Sequence, residues 1–174
     1  STKGKVKQFD EEFKTTKEAV DDKIPLAVIT NRGSASASEI VAGAIQDLDR
    51  GVIVGQRSYG KGLVQVTRPL SYNTQLKVTT AKYYIPSGRC IQARDFSHPN
   101  EDGSVGRIPD SLIAEFKTKN GRKVMDGGGI SPDVEIIPEP LSQIATELYL
   151  RNLIFDFATD YYYAHQQIKS IDQF

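Results

Sequence analysis

The chain has little of what most catalytic and stabilising devices require. Its single cysteine, Cys90, excludes an internal disulfide framework and fits either a reducing or an oxidising compartment. The two histidines, His98 and His165, leave little material for a histidine-based site. Together with Cys90 they lack the spacing of a metal-ligand set, so neither a metal nor any other cofactor is expected. There is no charge excess: Lys+Arg and Asp+Glu are 22 each. That balance argues against nucleic acid as the main partner, because phosphate binding usually leaves a clear basic surplus. No apolar run reaches the ~18 residues of a membrane span. The sequence opens at Ser1 with no signal peptide, which reads as a processed or excised segment, so a missing signal says nothing about location. The run Gly127–Gly129 is not a phosphate loop, since neither Lys-Ser/Thr nor a helical pattern follows it.

What is there is enough for one domain with an appendage: 174 residues, 39% of them hydrophobic. Residues 1 to 23 are polar and charged, with a strand end expected near Val6–Phe9. The apolar run Ile24–Thr30 fits a buried parallel strand. After the turn Asn31-Arg32-Gly33, the stretch Ser36–Leu48 carries Ile40, Val41, Ala44, Ile45 and Leu48 at helical spacing, which predicts that these residues form the core face. Gly51 ends the helix and Val52–Val54 is a short strand. Strand, helix and strand in this order favour a parallel sheet with a crossover. Leu63–Thr67 and Gln75–Thr80 flank a turn and read as a hairpin. Residues 94 to 111 read as a surface insertion. Asn120-Gly121 marks a second hairpin. Val134–Ile137 is a further strand, and from Leu141 the pattern is helical, with Phe155, Phe157, Tyr161, Tyr162 and Tyr163 most simply explained by helix packing. The fold class is α/β, with a main part over residues 1–140 and a helical extension over 141–174.

The chemistry concentrates in NRGSASASEIVAGAIQDLDRGVIVGQRSYGKGLVQ, residues 31 to 65. Ser36 alone reads as a helix N-cap, since Ser36-Ala37-Ser38-Glu39 matches the capping box. Yet it follows a buried strand and a glycine turn, and small alanines flank it. A helix N-terminus also offers free N–H groups and a positive dipole end, where an oxyanion would be stabilised. The Ala37 amide is the natural donor, and Ser34 and Ser38 are rival nucleophiles by spacing alone. A serine hydroxyl needs a base. Lys61, between Gly60 and Gly62, is the candidate: burial there would lower its pKa and free an amine to take the proton. Ser–Lys pairs are one variant of the catalytic triad. Gln65 shares the strand parity of Lys61 and could hold its amine, although four strand residues span about 13 Å. Asp47 lies roughly 16 Å along the helix from Ser36, too far to act on it, and is expected to brace a neighbouring loop.

These residues resemble the carboxy-terminal processing peptidases, or tail-specific proteases. The likeness covers about residues 24 to 92 and runs through NRGSASASEIVAGAIQDLDR, GQRSYGKGLVQ and LKVTTAKYYIPSGRCIQ, with GGGISPDVEI later. It implies Ser36 as nucleophile, Lys61 as general base and Gln65 as the residue orienting the lysine. The implied fold is the spiral of strand–strand–helix units of the Clp protease and crotonase superfamily. The implied activity is cleavage of polypeptides near their C-termini without metal or ATP, in an extracytoplasmic setting such as the periplasm or cell envelope. A PDZ domain in the full-length parent would capture substrate C-termini, and a homo-oligomer is left open. No PDZ domain is found here, and the family's upstream oxyanion glycine has no counterpart. The segment 93 to 126 is longer than the family's usual connection. The chain therefore reads as a partial catalytic domain, weakly active or inactive alone. The competing reading is a non-catalytic crotonase-like scaffold or peptide-binding domain.

Overall fold

The computed structural model describes residues 1 to 165. The chain divides into two compact units, Ser1–Ile137 and Pro138–Phe174.

The first unit is mixed α/β. Strand β1 (Thr2–Lys3) pairs antiparallel with β5 (Gln75–Tyr83), which pairs antiparallel with β4 (Leu63–Pro69). A second sheet runs in the order β2–β3–β8, from Ala27–Thr30, Val52–Gly55 and Val134–Glu135, all parallel. Helix α1 (Ala37–Asp47) makes the crossover between β2 and β3 that the strand–helix–strand pattern predicts. A small hairpin joins β6 (Glu115–Lys117) and β7 (Lys123–Met125) through the Asn120-Gly121 turn. Near the N-terminus the expected strand end is instead a 3-10 turn over Lys7–Phe9.

The core is small and aliphatic. Ala42 of α1 packs with Ile53, Ile85, Ile91 and Ile130, and Val28 and Ile45 lie against this cluster. Two expectations of burial fail. Strand β2 is parallel but not buried along its length: Ile29 is 84% exposed, and among its residues only Thr30 is buried. Helix α1 is rotated from the face its apolar residues predict. It buries Glu39, Ala42, Gly43, Gln46 and Asp47, while Val41 and Leu48 face solvent. The buried set still follows the helical period, but most of it is polar or small.

The polar residues on that face are tied to loops far away in sequence. Arg89, only 2% exposed, pairs with Asp47 at 2.9 Å and donates to Gln46 Oε1 at 2.8 Å and to the Met125 carbonyl at 3.0 Å. The Ser87 amide donates to the second Asp47 oxygen at 2.9 Å. Asp47 thus braces the 87–89 loop, as the sequence suggested. Burial pulls the Arg89 guanidinium below its ordinary pKa, against the opposing pull of Asp47. Asp133, at the head of β8, accepts from the Ile53 amide, the Gln46 side chain and Arg122. In this way α1, β3 and β8 share one hydrogen-bonded seam.

The second unit contains α2 (Gln143–Leu150) and α3 (Leu153–Ala164). Ser142 caps α2 by accepting from the Ala145 amide at 3.2 Å. Within this unit the aromatics pack on one another only in part: Phe157 lies 5.8 Å from Tyr161 and Tyr162 lies 5.6 Å from Tyr163 between ring centroids, while Phe155, Phe157, Tyr162 and Tyr163 are each more than 60% exposed. Tyr161 stacks on His165 with ring centroids 4.0 Å apart. The rest of the helical tail, residues 166–174, lies outside the described residues.

Candidate active site

The site is built where β2 and β3 hand the chain to α1 and to the loop 56–62. The Gln56 amide donates to the Thr30 carbonyl at 2.8 Å, and Thr30 Oγ1 donates back to the Gln56 carbonyl at 2.9 Å. The Tyr59 amide donates to the Ser34 carbonyl at 2.9 Å. The turn before α1 and the loop carrying Lys61 are therefore stitched together along their backbones.

Ser36 sits at the N-cap of α1 with φ 59° and ψ −118°. This is the first central position of a type II′ turn, where glycine is normally required. A residue with a Cβ held there is strained by roughly 1–3 kcal/mol, and such strain gathers at functional sites. Ala37 and Ser38 follow in the first helical turn, where the helix itself supplies no acceptor for their amides. Ser34 is committed elsewhere: its Oγ accepts from the Asn31 amide at 3.1 Å, closing the turn before the helix.

Glu39 is the organising residue. Its side chain is fully buried, yet among the described residues it has no ion-pair partner. Hydrogen bonds take the place of a counter-ion. Oε1 accepts from Ser58 Oγ at 2.5 Å and from the Gly60 amide at 2.6 Å. Oε2 accepts from the Ser36 amide at 2.9 Å and from the Lys61 amide at 2.8 Å. Four donors on one carboxylate satisfy a charge that would otherwise be costly to bury. Sequence reasoning gave Glu39 only the N3 place of a capping box. The signal for more was an acidic residue on a helix face that also carries small residues.

The glycines around Lys61 allow the loop to lie against the segment Ile91–Ala93. Gly60 has φ 88°, and a Cβ there would stand 2.3 Å from the Ala93 Cβ. A Cβ on Gly62 would meet the Gln92 amide nitrogen at 2.7 Å. Gln92, buried, accepts from the Gly62 amide at 2.8 Å.

The backbones of Ser36 and Lys61 are thus brought together by a shared acceptor. The Lys61 side chain, expected to be buried, is exposed in this chain. Lys61 stands in the loop before β4, outside the strand, so strand alternation does not fix its side chain on the same side as Gln65. The Gln65 amide instead donates to Thr79 Oγ1 at 3.3 Å. Cys90 is half-buried, and burial pushes its thiol pKa up, which makes it a poor nucleophile. Among the described residues, no group of His, Cys, Asp and Glu is arranged to hold a metal ion.

Strand, glycine turn, strained serine and helix N-terminus, with a lysine loop on the same carboxylate, form an arrangement suited to acyl transfer. Comparison with known proteins places the chain in a class of proteases. The family model "Peptidase family S41" matches residues 1–101, and the chain belongs to that family. A second model, "Probable PDZ-protease, C-terminal helical domain", matches residues 144–174. The chain is 49% identical over 115 residues to the carboxy-terminal-processing protease of Bartonella bacilliformis, covering 66% of this chain and 24% of that protein. It is 49% identical over 105 residues to the carboxyl-terminal-processing protease of Synechocystis sp., covering 60% of this chain and 22% of the relative. Among solved structures, it is similar to a photosystem II D1 C-terminal processing protease, with 35% identity and a TM-score of 0.48, over 71% of this chain and 23% of that one. The chain spans about a quarter of the length of these relatives.

Proposed function

We propose that this chain is part of the catalytic domain of a serine endopeptidase that cleaves polypeptides near their C-termini through Ser36 and Lys61. Ser36 Oγ attacks the scissile carbonyl, and the Lys61 amine takes its proton and later returns it to the leaving amine. The Ala37 amide, at the positive end of α1, receives the oxyanion. Gln65, whose amide donates to Thr79 Oγ1 in this structure, is the residue that the family resemblance assigns to orient the Lys61 amine. Lys61 is exposed in the chain alone, and a polypeptide laid across the 58–62 loop takes it out of water, which is what a neutral amine base needs.

The observation that carries this reading is the pair of amides, Ser36 and Lys61, on one oxygen of the buried Glu39 carboxylate. The left-handed φ of Ser36 adds to it, since an ordinary cap has no need of that strain. The wider picture follows the family. Residues 1–140 are the partial catalytic domain, laid out as part of a Clp protease/crotonase-like spiral, and 141–174 are its helical extension. The intact parent carries a PDZ domain that holds substrate C-termini, and it works outside the cytoplasm. No cofactor is used. The 174 residues alone hydrolyse protein weakly or not at all.

A second reading, a non-catalytic scaffold that binds peptides, draws on the exposure of Lys61. Incubating the intact parent with an unfolded polypeptide, and sequencing the products by mass spectrometry, separates the two. Endoproteolytic products that vanish with Ser36→Ala support the peptidase. Binding without any Ser36-dependent product supports the scaffold.

A further inference from the structure

Beside the site lies a cavity of about 400 Å³ lined by Arg32, Arg57, Ser58, Tyr59, Ala93, Arg94 and Arg107. Four of its lining residues are arginines and none is acidic. Among the described residues, none of the four is within ion-pair distance of a carboxylate. The ion-paired arginines among the described residues, Arg89, Arg122 and Arg151, lie elsewhere. The cavity therefore gathers cations that the fold itself does not neutralise.

Two of them are held against each other by the backbone. Arg94 and Arg107 face one another across an antiparallel bridge. The bridge is flanked by Asp95 N–H donating to the Gly106 carbonyl at 3.1 Å and Ile108 N–H donating to the Ala93 carbonyl at 2.9 Å. Like charges directly opposite in a strand pair are destabilising. An anion between them reverses that sign. Guanidinium groups are also the side chains best shaped for a carboxylate, which they bind through two parallel N–H donors.

The cavity shares its walls with the candidate active site. Ser58 and Tyr59 belong to the loop that carries Lys61, and Ser58 Oγ donates to Glu39. Arg32 lies in the turn that leads to Ser36, and Ala93 leaves no room for a Cβ at Gly60. The Ala93 amide donates to the Gly60 carbonyl at 3.0 Å. The cavity is thus walled in part by the loop that carries Lys61 and by the turn that leads to Ser36.

We infer that the four-arginine cavity is a subsite for a carboxylate of the substrate polypeptide, borne either by an Asp or Glu side chain near the scissile bond or by the terminal carboxylate. The inference rests on the peptidase reading for its ligand, and binding can test it without turnover. The 174-residue chain carrying Ser36→Ala is titrated by calorimetry with four matched peptides, Glu or Gln at one internal position, each with a free or an amidated C-terminus. The expected result is that removing one of the two charges weakens binding about tenfold, and that R57Q with R107Q erases the difference. R57K with R107K should retain most of it. Sensitivity to Glu→Gln assigns the side chain as the source, and sensitivity to amidation assigns the terminus. Equal affinity for all four peptides, no binding of any, or a charge preference that survives arginine neutralisation overturns the inference. Cleavage of the same peptides by the intact parent reports on the peptidase separately. Charge-dependent binding without cleavage keeps the subsite and loses the peptidase, and charge-blind cleavage does the reverse.

Discussion

Ser36 and Lys61, 25 residues apart in sequence, donate their backbone amides to the same oxygen of Glu39. The two amides cannot be farther apart than these two bonds laid end to end. The proposed nucleophile, at the start of a helix, and the proposed base, on a loop, are thus registered by a third residue through their backbone amides.

Replacing Glu39 should therefore act on both. In Glu39→Gln, the NH2 group must face two N–H or O–H donors that the carboxylate had accepted, and buried donors left without acceptors cost about 1–3 kcal/mol each. Chemical denaturation should show a loss of this order, and cleavage by the intact parent should fall further than the stability loss accounts for.

Ser36→Gly should do the opposite to stability. Glycine adopts φ 59° freely, so relief of strain should stabilise the chain by about 1 kcal/mol while removing the hydroxyl. A raised unfolding midpoint with abolished cleavage checks this. A lowered midpoint would mean that the serine is there as a cap.

The Asp47–Arg89 pair is buried on both sides. Removing one partner leaves a buried charge with no mate, at a cost of about 3–5 kcal/mol. Asp47→Ala should unfold far more readily than the wild type. A double replacement of Asp47 and Arg89 by apolar residues should recover part of the loss, measured as a double-mutant cycle.

Stability should fall in acid. Burial pushes Asp133 up, but the Ile53 amide, Gln46 and Arg122 outweigh it and hold its carboxyl below the usual range. A depressed folded-state pKa contributes stability above the unfolded value, near about 3.9, and loses it as pH falls through the folded one. The melting midpoint should drop below about pH 4, and Asp133→Asn should flatten that drop.

The sequence carried the crossover of β2, α1 and β3 and both hairpins, because strand runs, the glycine turn and Asn120-Gly121 are local signals. It misdirected the face of α1. Counting apolar residues picks Val41 and Leu48, whereas Glu39, Gln46 and Asp47 are buried by partners at Ser58, Gly60, Lys61, Arg89 and Asp133 that no local pattern links to the helix. The Lys61–Gln65 parity assumed a strand that reaches Lys61, whereas β4 begins only at Leu63. Arg32, Arg57, Arg94 and Arg107 are scattered along the chain, so nothing in the sequence marks them as lining one cavity.

Ser36 and Lys61 are proposed to act as one unit. The most direct measurement is the rate of polypeptide cleavage by the intact parent with Ser36→Ala, with Lys61→Ala and with both. Each single replacement should lower kcat by about 10³-fold or more without shifting the melting midpoint, and the double should be no slower than either. Cleavage by the Lys61→Ala protein within a few-fold of wild type would contradict it.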